Sequence, residues 1–287
     1  MKKISVWLLF ALVFVCFSSC AHSPKYMNTN RNFYGSTLPD RLGGFIVGGH
    51  QGNIFGLKFN TIEGFEEAAF FGADVVEMDL RTSKDGVAVV FHDEKMDLWS
   101  DCSGNLREKE LKEIEMCRHR PSGNKIPTFE DVVLWSSGNF IINAEFKDKE
   151  AIASALATVK RCWAYEWVYF QATSWEKYEL VRSIDKDVYL LFPIHSEADL
   201  NKALSIKDER LLVIEVNEKT RTAENIKRIH DAGKLVSEDS WHFSASYELF
   251  GATCTELFLN GIDIAITNRP EGCVEQKDNL LKEKKRP

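Results

Sequence analysis

From Gly43 onward, short apolar runs alternate with segments in which apolar residues recur every three or four positions. FIVGGH (45–50), ADVVEMDL (73–80), NFIINAEFK (139–147), WVYFQAT (167–173), DVYLLFPI (187–194), LLVIEVN (211–217), KLVSEDSW (234–241) and DIAITNRP (263–270) read as strands, short and rich in β-branched and aromatic residues. TIEGFEEAAFFG, EAIASALATVKRCWA, SWEKYELVRSI, SEADLNKALSI, TAENIKRIHDAG and SYELFGATCTELFLNG carry the helical period between them. Parallel strands need crossover connections, so about eight such units of roughly 20 to 25 residues predict an α/β fold, a closed (β/α)8 TIM barrel. VAVVFHD (87–93) is a ninth strand-like run, joined to VVEMDL by the turn signal SKDG. That link predicts a hairpin, with one of the two runs partly outside the barrel. Residues from about 97 to 127 lack a strand pattern and read as a small insertion after the His92 strand.

The two ends of the chain follow other patterns. Lys2 and Lys3 precede an apolar run from Ile4 to Phe17, too short to span a bilayer comfortably, and small residues lead to Cys20. FSSC resembles the lipobox of bacterial lipoproteins. Residues 1–19 are therefore expected to be a cleaved signal peptide, with Cys20 the lipidated first residue of an exported chain. That chain would be anchored to a bacterial membrane on its periplasmic or cell-surface side. The polar remainder of 20–42 reads as a flexible tether, 43–272 as the catalytic domain and 273–287 as a polar, basic tail.

The 287 residues carry a net charge of -7, which argues against nucleic acid as a partner. Export permits disulfides, and Cys102 with Cys117 would close a loop of about 15 residues. Cys254 with Cys273 is a weaker candidate, and Cys162 reads as a free thiol on a helix face. No Cys/His spacing suits zinc.

The candidate chemistry lies at strand ends. Glu77 and Asp79, two apart on a strand, project side by side near its C-terminal end, where barrel enzymes build their sites. Paired acids repel unless a cation lies between them. His50 ends the first strand run, where Gly48 and Gly49 are expected to let a bulky group approach the backbone. His92 ends VAVVFH, while Glu145 and Lys147 share one face near the end of INAEFK. Three hard oxygen ligands suit one divalent cation, Mg²⁺ or Ca²⁺. Two imidazoles beside such an ion can pass protons during cleavage of a small-molecule phosphodiester.

These residues resemble the glycerophosphodiester phosphodiesterase family, whose pattern is a strand ending in His-Arg, then Glu-x-Asp, then His-Asp. Here it reads His50-Gln51, Glu77-Met78-Asp79 and His92-Asp93, and KDGVAVVFHDE, IPTFEDVV, NAEFK and NGIDIAITNRPE extend it over nearly all of 43–272. The resemblance implies a TIM barrel with an insertion, Glu77, Asp79 and Glu145 as metal ligands, and His50 and His92 as acid and base. It also implies hydrolysis of glycerophosphodiesters to glycerol 3-phosphate and an alcohol. Three departures stand out. Gln51 replaces an arginine that contacts phosphate, Lys58-Phe59-Asn60-Thr61 replaces the family's PENT, and KLVSEDSW lacks its tryptophan. A neutral amide replaces a guanidinium only in part, which leaves Lys147 beside Gln51 as the expected substrate contacts. Two alternatives follow from Gln51: a diester with another headgroup, or a lipoprotein that binds phosphodiesters without turnover.

Overall fold

Nine strands form, each within a run read as a strand: β1 (Ile46–Gly49), β2 (Val75–Thr82), β3 (Ala88–Val90), β4 (Ile141–Phe146), β5 (Val168–Gln171), β6 (Tyr189–Pro193), β7 (Leu211–Glu215), β8 (Leu235–Asp239) and β9 (Ile264–Thr267). The structure, a computed structural model, describes residues 35–53, 56–240 and 253–284. Parallel pairing runs β1-β9-β8-β7-β6-β5-β4-β2, and a β1–β2 pairing closes the ring into an eight-stranded barrel. β3 is the ninth strand. It turns back antiparallel on the end of β2, with Leu80 opposite Val90, and stays outside the ring, as the SKDG turn predicts.

Alternation along the strands divides the apolar residues into two layers. Val76, Met78, Leu80, Ile142, Ala144, Phe146 and Phe170 face outward and pack beneath the helices. Ile46, Val75, Ile141, Tyr189 and Ile264, each the first residue of its strand, fill the N-terminal end of the barrel interior. Polar residues are thereby confined to the C-terminal end. Helices that follow the strands begin on hydroxyl caps: Thr61, Ser174, Ser196 and Thr222 each accept a bond from a backbone N–H three residues on.

The chain ends differ from the sequence expectation. The signal peptide, Cys20 and most of the tether lie outside the described residues. The tether's last residues are ordered: α1 (Leu38–Arg41) is capped by Thr37 and Asp40, and Leu38 and Leu42 are fully buried in the lower interior cluster. Arg41 fastens this turn by donating to the carbonyls of Gly138 and Glu166. The polar tail is a helix, Pro270–Lys284, which buries Cys273 and Leu280 and pairs Lys277 with Asp74. Sparse apolar residues at helical spacing are enough to dock it. The weaker disulfide candidate forms as well, since Cys254–Cys273 is bonded, while Cys162 is a free thiol. Among the described residues no helix is long and apolar enough to cross a membrane.

The insertion has a core of its own: Val89, Phe91, Met96, Leu106, Ile114, Cys117 and Ile126, crosslinked by Cys102–Cys117. A core this small depends on its crosslink. Removing the bond with Cys102→Ser/Cys117→Ser is expected to destabilise this unit by about 3 kcal/mol in the loop-entropy model. Faster protease cleavage between residues 97 and 127, with the barrel's unfolding transition retained, is the measurement that checks it.

Candidate active site

Strand register brings the predicted acids together. β2 and β4 pair with Asp79 opposite Glu145, and alternation puts Glu77 on the same inward face. One carboxylate oxygen from each of Glu77, Asp79 and Glu145 lies within 4.8 Å of the others. Asp79 is clamped by Asn60, whose amide donates to Oδ2 at 2.7 Å and whose carbonyl accepts from the Asp79 N–H at 3.2 Å. Glu77 accepts the backbone N–H of Gln51 at 2.8 Å, a geometry reached because Gln51 adopts φ 50°. Lys147 lies among the acids, its Nζ 3.1 Å from Asp79 and 2.8 Å from Glu145.

Burial and crowding separate the acids' proton affinities. Burial, then the charges of Asp79 and Glu145, push Glu77 well above the usual carboxylate range. Burial also pushes Asp79 upward, but Lys147, both histidines and the Asn60 amide outweigh it and hold that carboxyl below its ordinary value. A buried set that cannot ionise fully by itself, made of hard oxygen donors close enough to share one ion, fits a divalent cation.

The histidines flank this set. His50 is anchored through Nδ1 to Asn268 Oδ1 at 2.6 Å and brings Nε2 to 3.9 Å from Glu77. Burial, opposed by Asp79 and Asn268, lowers its pKa and favours neutral imidazole. His92 is anchored through Nδ1 to Asp93 at 2.6 Å, and Arg81 binds its carbonyl while pairing with Asp148. Gly48 and Gly49 do not open the backbone to a ligand. A Cβ at Gly48 would meet the Ile266 side chain at 2.3 Å, and one at Gly49 would meet the Gly52 carbonyl at 2.2 Å, so the barrel and the β1 turn already occupy that space. Phe59, at the position of the family's glutamate, joins Trp99 and His119 in edge-to-face contacts under the insertion. Burial drives the His119 pKa down to about 4.

Residues 49–271 match the glycerophosphoryl diester phosphodiesterase family. The chain belongs to this family. A probable glycerophosphodiester phosphodiesterase 2 of Mycobacterium tuberculosis is 32% identical over 129 residues, 45% of this chain and 48% of that protein. A glycerophosphodiester phosphodiesterase of Caldanaerobacter subterraneus is 33% identical over 109 residues, covering 36% and 45%. The chain thus matches about half the length of these curated relatives. Among solved structures, a glycerophosphodiester phosphodiesterase of Agrobacterium tumefaciens has a TM-score of 0.69 at 20% identity, over 80% of this chain and 99% of that one. A phosphodiesterase of Oleispira antarctica in complex with the product sn-glycerol-3-phosphate has a TM-score of 0.69 at 18% identity, over 82% and 97%. These structural likenesses establish the family's barrel fold.

The glycerophosphoryl diester phosphodiesterase barrel also carries inward polar residues that the strand patterns did not single out: Gln171 on β5, Glu215 on β7 and Asp239 on β8. Burial first, then Glu145 and Glu238, push Glu215 up to about 8. Burial and then Glu215, Glu77 and Glu145 raise Asp239 well above the carboxylate range. A lone acid in an otherwise apolar strand, as in LLVIEVN, is the signal that could have found Glu215, because the same signal marks Glu145 in INAEFK.

Proposed function

We propose that this protein is a divalent-metal-dependent phosphodiesterase that cleaves glycerophosphodiesters to glycerol 3-phosphate and an alcohol. The observation that carries the reading is the acid triad flanked by two separately anchored imidazoles. Glu77, Asp79 and Glu145 would hold Mg²⁺ or Ca²⁺, which when bound supplies charge neutralisation for phosphoryl oxygens. The chain's own groups do the rest. Lys147 offers a second positive charge to the phosphate, with the Gln51 amide beside it in place of an arginine. His50 and His92 exchange protons with the attacking and departing oxygens, each kept in orientation by the partner on its Nδ1. A module that only binds would have no use for two such proton carriers.

Two disulfides among the described residues support an oxidising compartment, in keeping with export and a lipid on Cys20. A membrane-anchored enzyme acting on small headgroup diesters follows from this reading.

The test is a metal-by-substrate screen on chelator-stripped protein. Glycerol 3-phosphate is expected to appear from glycerophosphodiesters only after Mg²⁺ or Ca²⁺ is restored. Turnover of another phosphodiester alone would move the substrate class. Failure on every diester with every metal would remove the enzymatic reading.

A further inference from the structure

The mouth of the barrel is acidic on both sides. In the eight-stranded ring β7 stands diametrically opposite β2, and β8 opposite β4, so Glu215 and Asp239 face the triad from across the interior. Glu215 pairs in register with Ser237, and Asp239 follows two residues later on the same face of β8. Glu215 is only 9% exposed, and Gln171 Nε2 reaches both of its oxygens at a long 3.4 Å. Ser237 Oγ and the Tyr169 hydroxyl belong to the same inward wall. Both residues are 0% exposed, and neither oxygen has a hydrogen-bond partner. Buried polar atoms are nearly always satisfied in folded proteins, so unsatisfied hydroxyls beside two acids mark a place built for something else.

Charge indicates what that is. Glu77, Asp79, Glu145, Glu215 and Asp239 face Lys147 and whatever single divalent ion the triad holds, which leaves an excess of negative charge before an anionic diester arrives. The neighbouring Glu238 is neutralised by Arg221 on the outer face of β8. Without a further cation the β7 and β8 acids retain protons, in line with their raised proton affinities. A second bare metal ion fits poorly. The triad brings three ligand atoms within 4.8 Å, whereas Glu215 and Asp239 join no such group among the described residues. Two acids spaced more widely than a coordination shell suit a larger organic cation, which accepts several oxygens around its surface.

We propose that Glu215 and Asp239 form a cation subsite for an ammonium group on the alcohol half of the substrate, making the enzyme selective for diesters of amino alcohols. This deepens the phosphodiesterase reading above and rests on it. The experiment compares kcat/KM for glycerophosphoethanolamine and glycerophosphocholine with that for glycerophosphoglycerol, using the metal-loaded protein, Glu215→Gln, Asp239→Asn and the double variant. The unaltered protein is expected to favour the ammonium diesters by about tenfold or more, with the double variant bringing the ratio close to one. Binding of the same three compounds by calorimetry should show the same order even where turnover is slow, and metal analysis should give one ion per chain throughout. Equal losses on charged and neutral headgroups, an unchanged ratio, or two ions falling to one in the variants would each overturn the subsite. Absence of turnover on all diesters would strike the phosphodiesterase reading alone, because the calorimetric preference still decides the subsite.

Discussion

Glu77→Gln is expected to cut turnover by about three orders of magnitude while leaving the metal-free fold at least as stable. Glutamine keeps the shape of glutamate and still offers an oxygen to the Gln51 N–H, so the local geometry survives. One anionic ligand is lost from the triad, and metal-derived stabilisation of a phosphoryl group is worth several kcal/mol, at about tenfold per 1.4 kcal/mol. Stability responds in the opposite sense because Glu77 is buried among like charges. Its folded pKa is raised, so the folded state binds the extra proton. Stability is fully present below the unfolded value of about 4.3 and is lost as pH rises toward the raised folded value. Thermal unfolding of metal-free protein should therefore show a declining midpoint from about pH 4.5 upward. Glu77→Gln should flatten that decline, and added Mg²⁺ or Ca²⁺ should reverse it. A variant that keeps activity would mean that the triad is not the metal centre.

His50→Ala and His92→Ala are each expected to lower kcat by about 10² to 10⁴, the range for loss of a positioned proton carrier. The two losses should respond differently to the leaving group. A diester with a nitrophenyl leaving group departs without protonation, so the variant lacking the acid recovers most of its rate and the variant lacking the base does not. The anchors give each histidine a graded control. Asp93→Asn leaves His92 in place but removes the carboxylate at 2.6 Å that would stabilise its protonated form. Its rate should fall between that of the unaltered protein and that of His92→Ala. Equal behaviour of both histidine variants on both leaving groups would remove the acid–base division.

The barrel was legible because its strands are short, apolar and evenly spaced, and the triad because Glu77, Asp79 and Glu145 interrupt that pattern near strand ends. Other parts were hidden for identifiable reasons. Asp239 sits beside Glu238 in LVSED, and adjacent acids point to opposite faces, so the pair reads as a solvated strand end until the barrel fixes which face is inside. Asn60 holds Asp79 from a loop, where no periodicity reports a side-chain clamp. In STLPDRL only two leucines four apart betray a docking turn, and a polar segment around them resembles a tether. Gln51 entered as the place of a missing side chain, yet the contact that matters to Glu77 comes from its main chain, which any residue able to reach φ 50° would supply.

The turn carrying Leu38 and Leu42 sets how the site communicates with its surroundings. Both side chains are fully buried against Ile46, Val75 and Ile141, which closes the barrel from below. Above them, Asn143, Tyr169 and Ser237 carry polar atoms that no neighbour satisfies. A seal under such a layer makes the barrel a cup with a single rim. Ions, protons and substrate all enter and leave by the side on which the carboxylates stand, and the traffic of one must wait on another. A chain trimmed at Gly43 would open a second door, letting water reach these orphaned groups from beneath. The acids would then sit in a wetter medium, their mutual repulsion would weaken, and the grip on any cation among them would loosen without a single ligand having been changed.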